Sequence, residues 1–161
     1  MNLIRSVQGG GALSSVLSAL LQEEQTFSTP AKPAGSFSRE HLSELEYKVT
    51  QQRDTERPFT GKYFLEFSPG MYTCVVCEAQ LFSSKAKFSC DCGWPAFSEP
   101  VQRRAIALRL DSSLAVVRVE VTCRNCGAHL GHVFDDGPMP TGLRYCINSA
   151  ALNFHKLPED S

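Results

Sequence analysis

The chain has no run of more than two consecutive basic residues and a formal net charge of -1. It therefore lacks the electrostatic footprint by which proteins hold a phosphate backbone, and nucleic acid is excluded as a partner. It also lacks any apolar stretch near the roughly 20 residues that span a bilayer; the longest candidate, 12–21, is interrupted by serines, and no membrane partner is expected. An even complement of cysteines is missing too, since there are seven, at 74, 77, 90, 92, 123, 126 and 146. A secreted disulfide framework would pair them off. Two C-x-x-C spacings with three cysteines left over read instead as metal and redox chemistry in a reducing compartment, with the cytoplasm favoured.

What is present suffices for one core: 161 residues, 42% of them apolar, make one domain and not two, and a monomer is expected. Residues 1–36 differ in composition, with Gly9, Gly10 and Gly11, several serines, and Pro30 and Pro33. Within them Leu13, Val16, Leu17, Leu20 and Leu21 recur at helical spacing and form one amphipathic stripe. The first 22 residues carry no acid and one basic residue, Arg5. Two readings stay open: a mitochondrial presequence, or a flexible extension with one nascent helix. The working domain is then 37–161.

Ser38 followed by Leu42 and Leu45 predicts a capped short helix ending near Tyr47. Beyond it the pattern is β. Segment 114–122 alternates Val117, Val119 and Val121 with Val116, Arg118 and Glu120, and strands are also expected at 70–74, 105–110 and 143–147. Turn signals at Ser68-Pro69-Gly70, Trp94-Pro95 and Asp136-Gly137-Pro138 separate them, which gives a mostly antiparallel β fold.

Cys74-x-x-Cys77 and Cys123-x-x-Cys126 each set two sulfurs on one tight turn, where both can reach an ion at about 2.3 Å. Two such knuckles complete a tetrahedral four-sulfur site for one Zn2+. Closed coordination leaves no open position, so this zinc would be structural, bridging distant parts of a small core. The rival, a redox C-x-x-C, normally opens a helix, and neither pair is followed by helical periodicity.

Three cysteines remain. In 143–148, Leu143, Tyr145 and Ile147 face one side of a strand while Arg144, Cys146 and Asn148 face the other. A guanidinium beside Cys146 biases it toward thiolate. His129 and His132, three apart, serve one pocket only if the backbone bends, which Gly131 permits, and either could hold a catalytic proton. Trp94, the single tryptophan, sits in a turn where its ring can wall an apolar pocket suited to a thioether. Cys90 and Cys92 lie outside the metal set, and each is a candidate to resolve an oxidised Cys146.

The motifs CVVC, CGWPAF, VTCRNCGAHLGHVFDDGP and GLRYCINSAALNF, with YKVTQQRDTERPFTGKY upstream, occur in order over residues 42–154. Together they closely resemble the B-type methionine sulfoxide reductases. The resemblance implies two antiparallel β-sheets with small peripheral helices, tied by zinc at Cys74, Cys77, Cys123 and Cys126. It implies an oxidoreductase that repairs proteins under oxidative stress by reducing methionine (R)-sulfoxide to methionine. Cys146 aligns with the catalytic residue; Trp94, His129, His132, Arg144 and Asn148 align with active-site positions, and Phe134 lines the same pocket. The resolving thiol of the family commonly precedes GWP, which is Cys92 here, with Cys90 standing where serine is usual and remaining the alternative. The implied cycle forms a sulfenic acid on Cys146 and then a disulfide that thioredoxin reduces.

Overall fold

The computed structural model describes residues 13–27 and 37–158. Two helices, α1 (Ser15–Glu24) and α2 (Glu44–Gln52), precede nine strands: β1 (Gly70–Cys74), β2 (Gln80–Ser83), β3 (Lys87–Phe88), β4 (Ala96–Phe97), β5 (Ile106–Asp111), β6 (Arg118–Cys123), β7 (His129–Phe134), β8 (Arg144–Ile147) and β9 (Leu152–Lys156). They form a three-stranded sheet, β2-β1-β9, and a six-stranded sheet, β3-β4-β8-β7-β6-β5. All the pairings are antiparallel. The two antiparallel sheets and peripheral helices are those the sequence leads one to expect.

Aromatic side chains join the sheets. Phe82 of β2 stacks on Phe97 of β4 with centroids 4.4 Å apart, and Tyr72 of β1 meets Phe97 edge-on at 5.2 Å. All three are fully buried, so this contact holds a large share of the apolar area removed from water. On β8, Tyr145 and Ile147 enter the core while Arg144 and Cys146 turn the other way, as their alternation predicts.

Two expectations need correction. The helix expected from Ser38 to Tyr47 lies instead at Glu44–Gln52, because Ser43 and Glu46 form a reciprocal capping box that satisfies two otherwise orphaned N–H groups. The strand expected over 114–122 begins only at Arg118. Asp111 pairs with Arg118 to close the hairpin, which leaves 112–117 as its loop. Glu120, on the face opposite Val119 and Val121, is 1% exposed. Arg53, at the left-handed end of α2, and Arg109 of β5 close over its carboxylate at 3.0 and 2.8 Å.

The helical stripe near the N-terminus folds as α1. Leu17 is buried, and Leu13, Leu20 and Leu21 pack against the core, while Val16 is exposed. Glu24, at the end of α1, pairs with Arg124 and Arg103 at 2.8 Å.

Candidate active site and metal centre

The two C-x-x-C turns share one backbone geometry. In each, the first cysteine donates its N–H to the carbonyl of an alanine at 2.8 Å, Cys74 to Ala79 and Cys123 to Ala128, and its own carbonyl accepts from the residue after the second cysteine. That residue has positive φ: +83° at Gly127, where glycine is at ease, and +68° at Glu78, where a side chain costs about 1–2 kcal/mol. Glu78 offsets this with hydrogen bonds to Thr73 and Asn153. Because β1 belongs to one sheet and β6 to the other, the knuckles meet between the sheets. Cys74 and Cys126 sulfurs lie 3.6 Å apart, as do those of Cys77 and Cys123, and all four fall within 4.8 Å of one another. A tetrahedron with bonds of about 2.3 Å has edges of about 3.8 Å, so the four thiols fit one ion. An ion held here would tie the two sheets together.

A separate cleft of about 220 Å³ opens on β8. It is lined by Cys146, Arg144, Asn148, His132, Phe134, Trp94 and Cys92, with Gly131, Thr55 and Arg118 completing the wall. This is smaller than the roughly 300 Å³ at which pockets for drug-sized ligands begin, and it suits a single side chain. Cys146 is a free thiol. Its direct cross-strand neighbour is His132 on β7, which puts both side chains on one face of the sheet.

β7 carries one extra residue. Val121 pairs with Gly131 and Thr122 with His129, leaving Leu130 as a bulge. The bulge resets the alternation, so His129 and His132 share a face with their rings 5.5 Å apart. The backbone bends as the sequence requires, but the bend lies at Leu130, and Gly131 keeps a negative φ. Its role is close approach: a β-carbon there would collide with the Cys146 carbonyl. Asn148 spans the bulge, its backbone N–H and side-chain Nδ2 both donating to the Leu130 carbonyl at 2.9 Å.

The imidazoles have different surroundings. His132 Nε2 lies 2.7 Å from Asp111 Oδ2 and its ring faces the cleft. Burial raises the Asp111 carboxyl, but hydrogen bonds from Ser113 and His132 more than offset it and keep it ionised. Burial lowers the basicity of His132 despite Asp111. His129 does not line the cleft. It is buried behind His132, with Nδ1 2.7 Å from Glu120, and its Nε2 has no hydrogen-bond partner among the described residues.

Arg144 forks onto Asp136 at 2.8 and 3.0 Å and stacks 4.5 Å above the Phe134 ring. Its guanidinium does lower the Cys146 thiol, in the direction expected, but burial outweighs it and pushes the thiol up to about 11. The net shift favours the protonated thiol, where the sequence led one to expect a thiolate. Trp94 is anchored by Nε1 donating to the Glu56 carbonyl at 3.0 Å, while the Glu56 N–H donates to Asn148 Oδ1 at 2.9 Å. The Glu56 carboxylate in turn accepts from the N–H groups of Ser149 and Ala150.

Asp111 and Glu56 were not foreseen. Asp111 gives only a strand-end acid as signal, and its link to His132 depends on the pairing register. Glu56 holds Trp94 and Asn148 through its backbone and the N–H groups of Ser149 and Ala150 through its carboxylate, and a lone loop acid has no spacing that signals either role. Cys90 and Cys92 lie in a turn and not on a strand, and a disulfide joins them with Cα atoms 5.3 Å apart.

A free thiol paired across a sheet with an imidazole–carboxylate couple, on a β scaffold whose two sheets meet at four other thiols able to hold one ion, defines a thiol-based redox class of protein. A family model described as "SelR domain" matches residues 42–156. The peptide methionine sulfoxide reductase MsrB of Burkholderia cenocepacia (strain HI2424) is 51% identical over 139 residues, covering 86% of this chain and 96% of its own. That of Burkholderia multivorans (strain ATCC 17616 / 249) is 55% identical over 123 residues, 76% and 86% of the two chains. That of Hahella chejuensis (strain KCTC 2396) is 49% identical over 123 residues, 76% and 88%. The chain belongs to the SelR-domain family, that of the B-type methionine sulfoxide reductases.

Proposed function

We propose that this protein reduces methionine (R)-sulfoxide in proteins or peptides to methionine, with Cys146 as the attacking sulfur and a thioredoxin-class dithiol as the final reductant. The observation that carries this reading is Cys146 in a cleft sized for one side chain, opposite His132 and beside Trp94. The apolar faces of Trp94 and Phe134 suit the thioether carbons and methyl group, and Trp94 reads the R configuration.

The proton inventory supports a concerted start. Asp111 is ionised, so the His132 proton lies on Nε2 and Nδ1 is left with a lone pair. A buried, protonated Cys146 needs a base as its sulfur attacks, and neutral His132 is its cross-strand neighbour. The thiol proton passes to Nδ1 and on to the sulfoxide oxygen as the sulfur–sulfur contact forms. The oxygen then transfers to Cys146: the substrate sulfur gains two electrons and leaves as methionine, and Cys146 becomes a sulfenic acid. Cys92, in the same cleft, condenses with it to a disulfide and water. His129 and Glu120 back His132 from behind.

We assign zinc to Cys74, Cys77, Cys123 and Cys126 from the donor set: four thiolates in a closed tetrahedron suit Zn2+ and leave no position for substrate, so the ion's work is structural. A cycle that ends on an external dithiol belongs in a reducing compartment. We propose the cytoplasm, with the mitochondrion as the alternative if residues 1–36 are a presequence, and a monomer as the working state.

The test is incubation of the purified chain with each epimer of a peptide methionine sulfoxide and dithiothreitol. Turnover of the R epimer, lost in Cys146→Ser with one zinc retained per chain, is expected. Turnover of the S epimer alone, or of neither, rules the reading out.

A further inference from the structure

The two cysteines outside the metal set and the attacking position differ in where they stand. Cys92 lines the cleft with Cys146, whereas Cys90 is absent from its wall. Cys90 is nonetheless bonded to Cys92 while Cys146 stays free. The turn that joins them is pinned: Phe59 donates its N–H to the Gly93 carbonyl at 2.7 Å, and Gly93 holds a left-handed φ of +99° close against Pro58 and Phe59. Asp91, between the two cysteines, is exposed, and Cys90 is half-buried.

We propose that Cys90 is a relay thiol, which moves the disulfide out of the cleft and onto this surface turn before any external reductant acts. The inference rests on the sulfoxide reductase reading above. The steps balance. Cys146 sulfenic acid and the Cys92 thiol give the Cys92–Cys146 disulfide and water. The Cys90 thiolate then attacks Cys92 Sγ; the Cys90–Cys92 bond forms, the Cys92–Cys146 bond breaks, and its electron pair leaves on Cys146, which takes up a proton. Cys146 is back in its starting state with the oxidising equivalents stored on the turn, until an external dithiol removes them by two further exchanges.

Two features favour this order. The Cys92 backbone N–H donates to Cys90 Sγ at 3.2 Å, a contact within the turn that keeps the relay sulfur next to Cys92. A Cys92–Cys146 bond ties up the attacking sulfur inside a cleft sized for one side chain, whereas a Cys90–Cys92 bond leaves Cys146 free for the next substrate.

The relay predicts a count. Chain reduced with dithiothreitol, freed of it and mixed with excess methionine (R)-sulfoxide peptide should yield two methionines per chain with no reductant present. The first turnover ends with the Cys90–Cys92 bond and a free Cys146, which then reacts once more. Cys90→Ser should stop at one methionine, with Cys92–Cys146 as the only disulfide found by peptide mapping after alkylation. One equivalent of substrate on the parent chain should map to Cys90–Cys92. One methionine per parent chain with a Cys92–Cys146 bond, or a direct Cys90–Cys146 bond, overturns the relay and leaves the reductase reading standing. No methionine from the parent chain overturns the reductase reading and the relay with it.

Discussion

Burial places the Cys146 thiol at about 11, two units above its ordinary 9.0, with Arg144 only partly opposing the shift. Two units are about 2.7 kcal/mol against the thiolate. At pH 8 the ionised fraction falls from roughly one in ten to roughly one in a thousand. A more basic thiolate is intrinsically more nucleophilic, which recovers a factor of about 8 over two units. Alkylation of Cys146 by iodoacetamide at pH 8 should thus run on the order of tenfold slower than that of an unstructured peptide carrying the same local sequence. The rate should climb through pH 10 and level off only near 11. Peptide mapping separates this label from labels on the other six cysteines. Arg144→Gln removes the one group that lowers the thiol and should slow labelling further at every pH below the plateau. A plateau below pH 8, or faster labelling in Arg144→Gln, would refute the claim that desolvation dominates this sulfur.

Gly131→Ala should cost about 1–3 kcal/mol and most of the sulfoxide reductase activity, since its new β-carbon meets the Cys146 carbonyl and not a movable side chain; urea denaturation and a turnover assay check it, and a variant with unchanged activity contradicts the geometry. Stripping the proposed zinc with a mercurial and chelator, or replacing Cys126 by Ser, should lower the thermal midpoint by roughly 10 °C or more, because an ion on these four sulfurs would join the two sheets and its loss would cost several kcal/mol. Glu120 has its carboxyl lowered from 4.5 to about 2, where hydrogen bonds from His129 and Arg109 outweigh burial. A depressed carboxyl contributes stability above its unfolded value and loses it as pH falls through the folded one. On the order of 3 kcal/mol should therefore drain away between pH 4.5 and 2. Glu120→Gln should show a flatter decline in that window, and parallel declines would count against the assignment.

Much of the site could be read from local pattern. The C-x-x-C spacing is a property of one tight turn, so each half of the metal centre is written within four consecutive residues. The alternation around Cys146 separates Tyr145 and Ile147 from Arg144 and the thiol, because a strand's period of two needs no partner to be recognised. Helix boundaries were less legible: the cap expected at Ser38 lies at Ser43, whose Glu46 three residues on returns the bond.

The rest depended on the three-dimensional arrangement. That four sulfurs within two turns meet at one point, that Leu130 bulges and brings two histidines to one face, and that Asp111 reaches His132 across a hairpin all follow from strand register, which is set by contacts far apart in the chain. The protonation of Cys146 is of the same kind. A neighbouring arginine can be seen in the sequence, but desolvation is the sum of everything packed around the sulfur, and here that sum is the larger effect. Residue type and spacing thus named the candidate groups, while burial and register, both collective properties of the folded chain, set their charge and their partners.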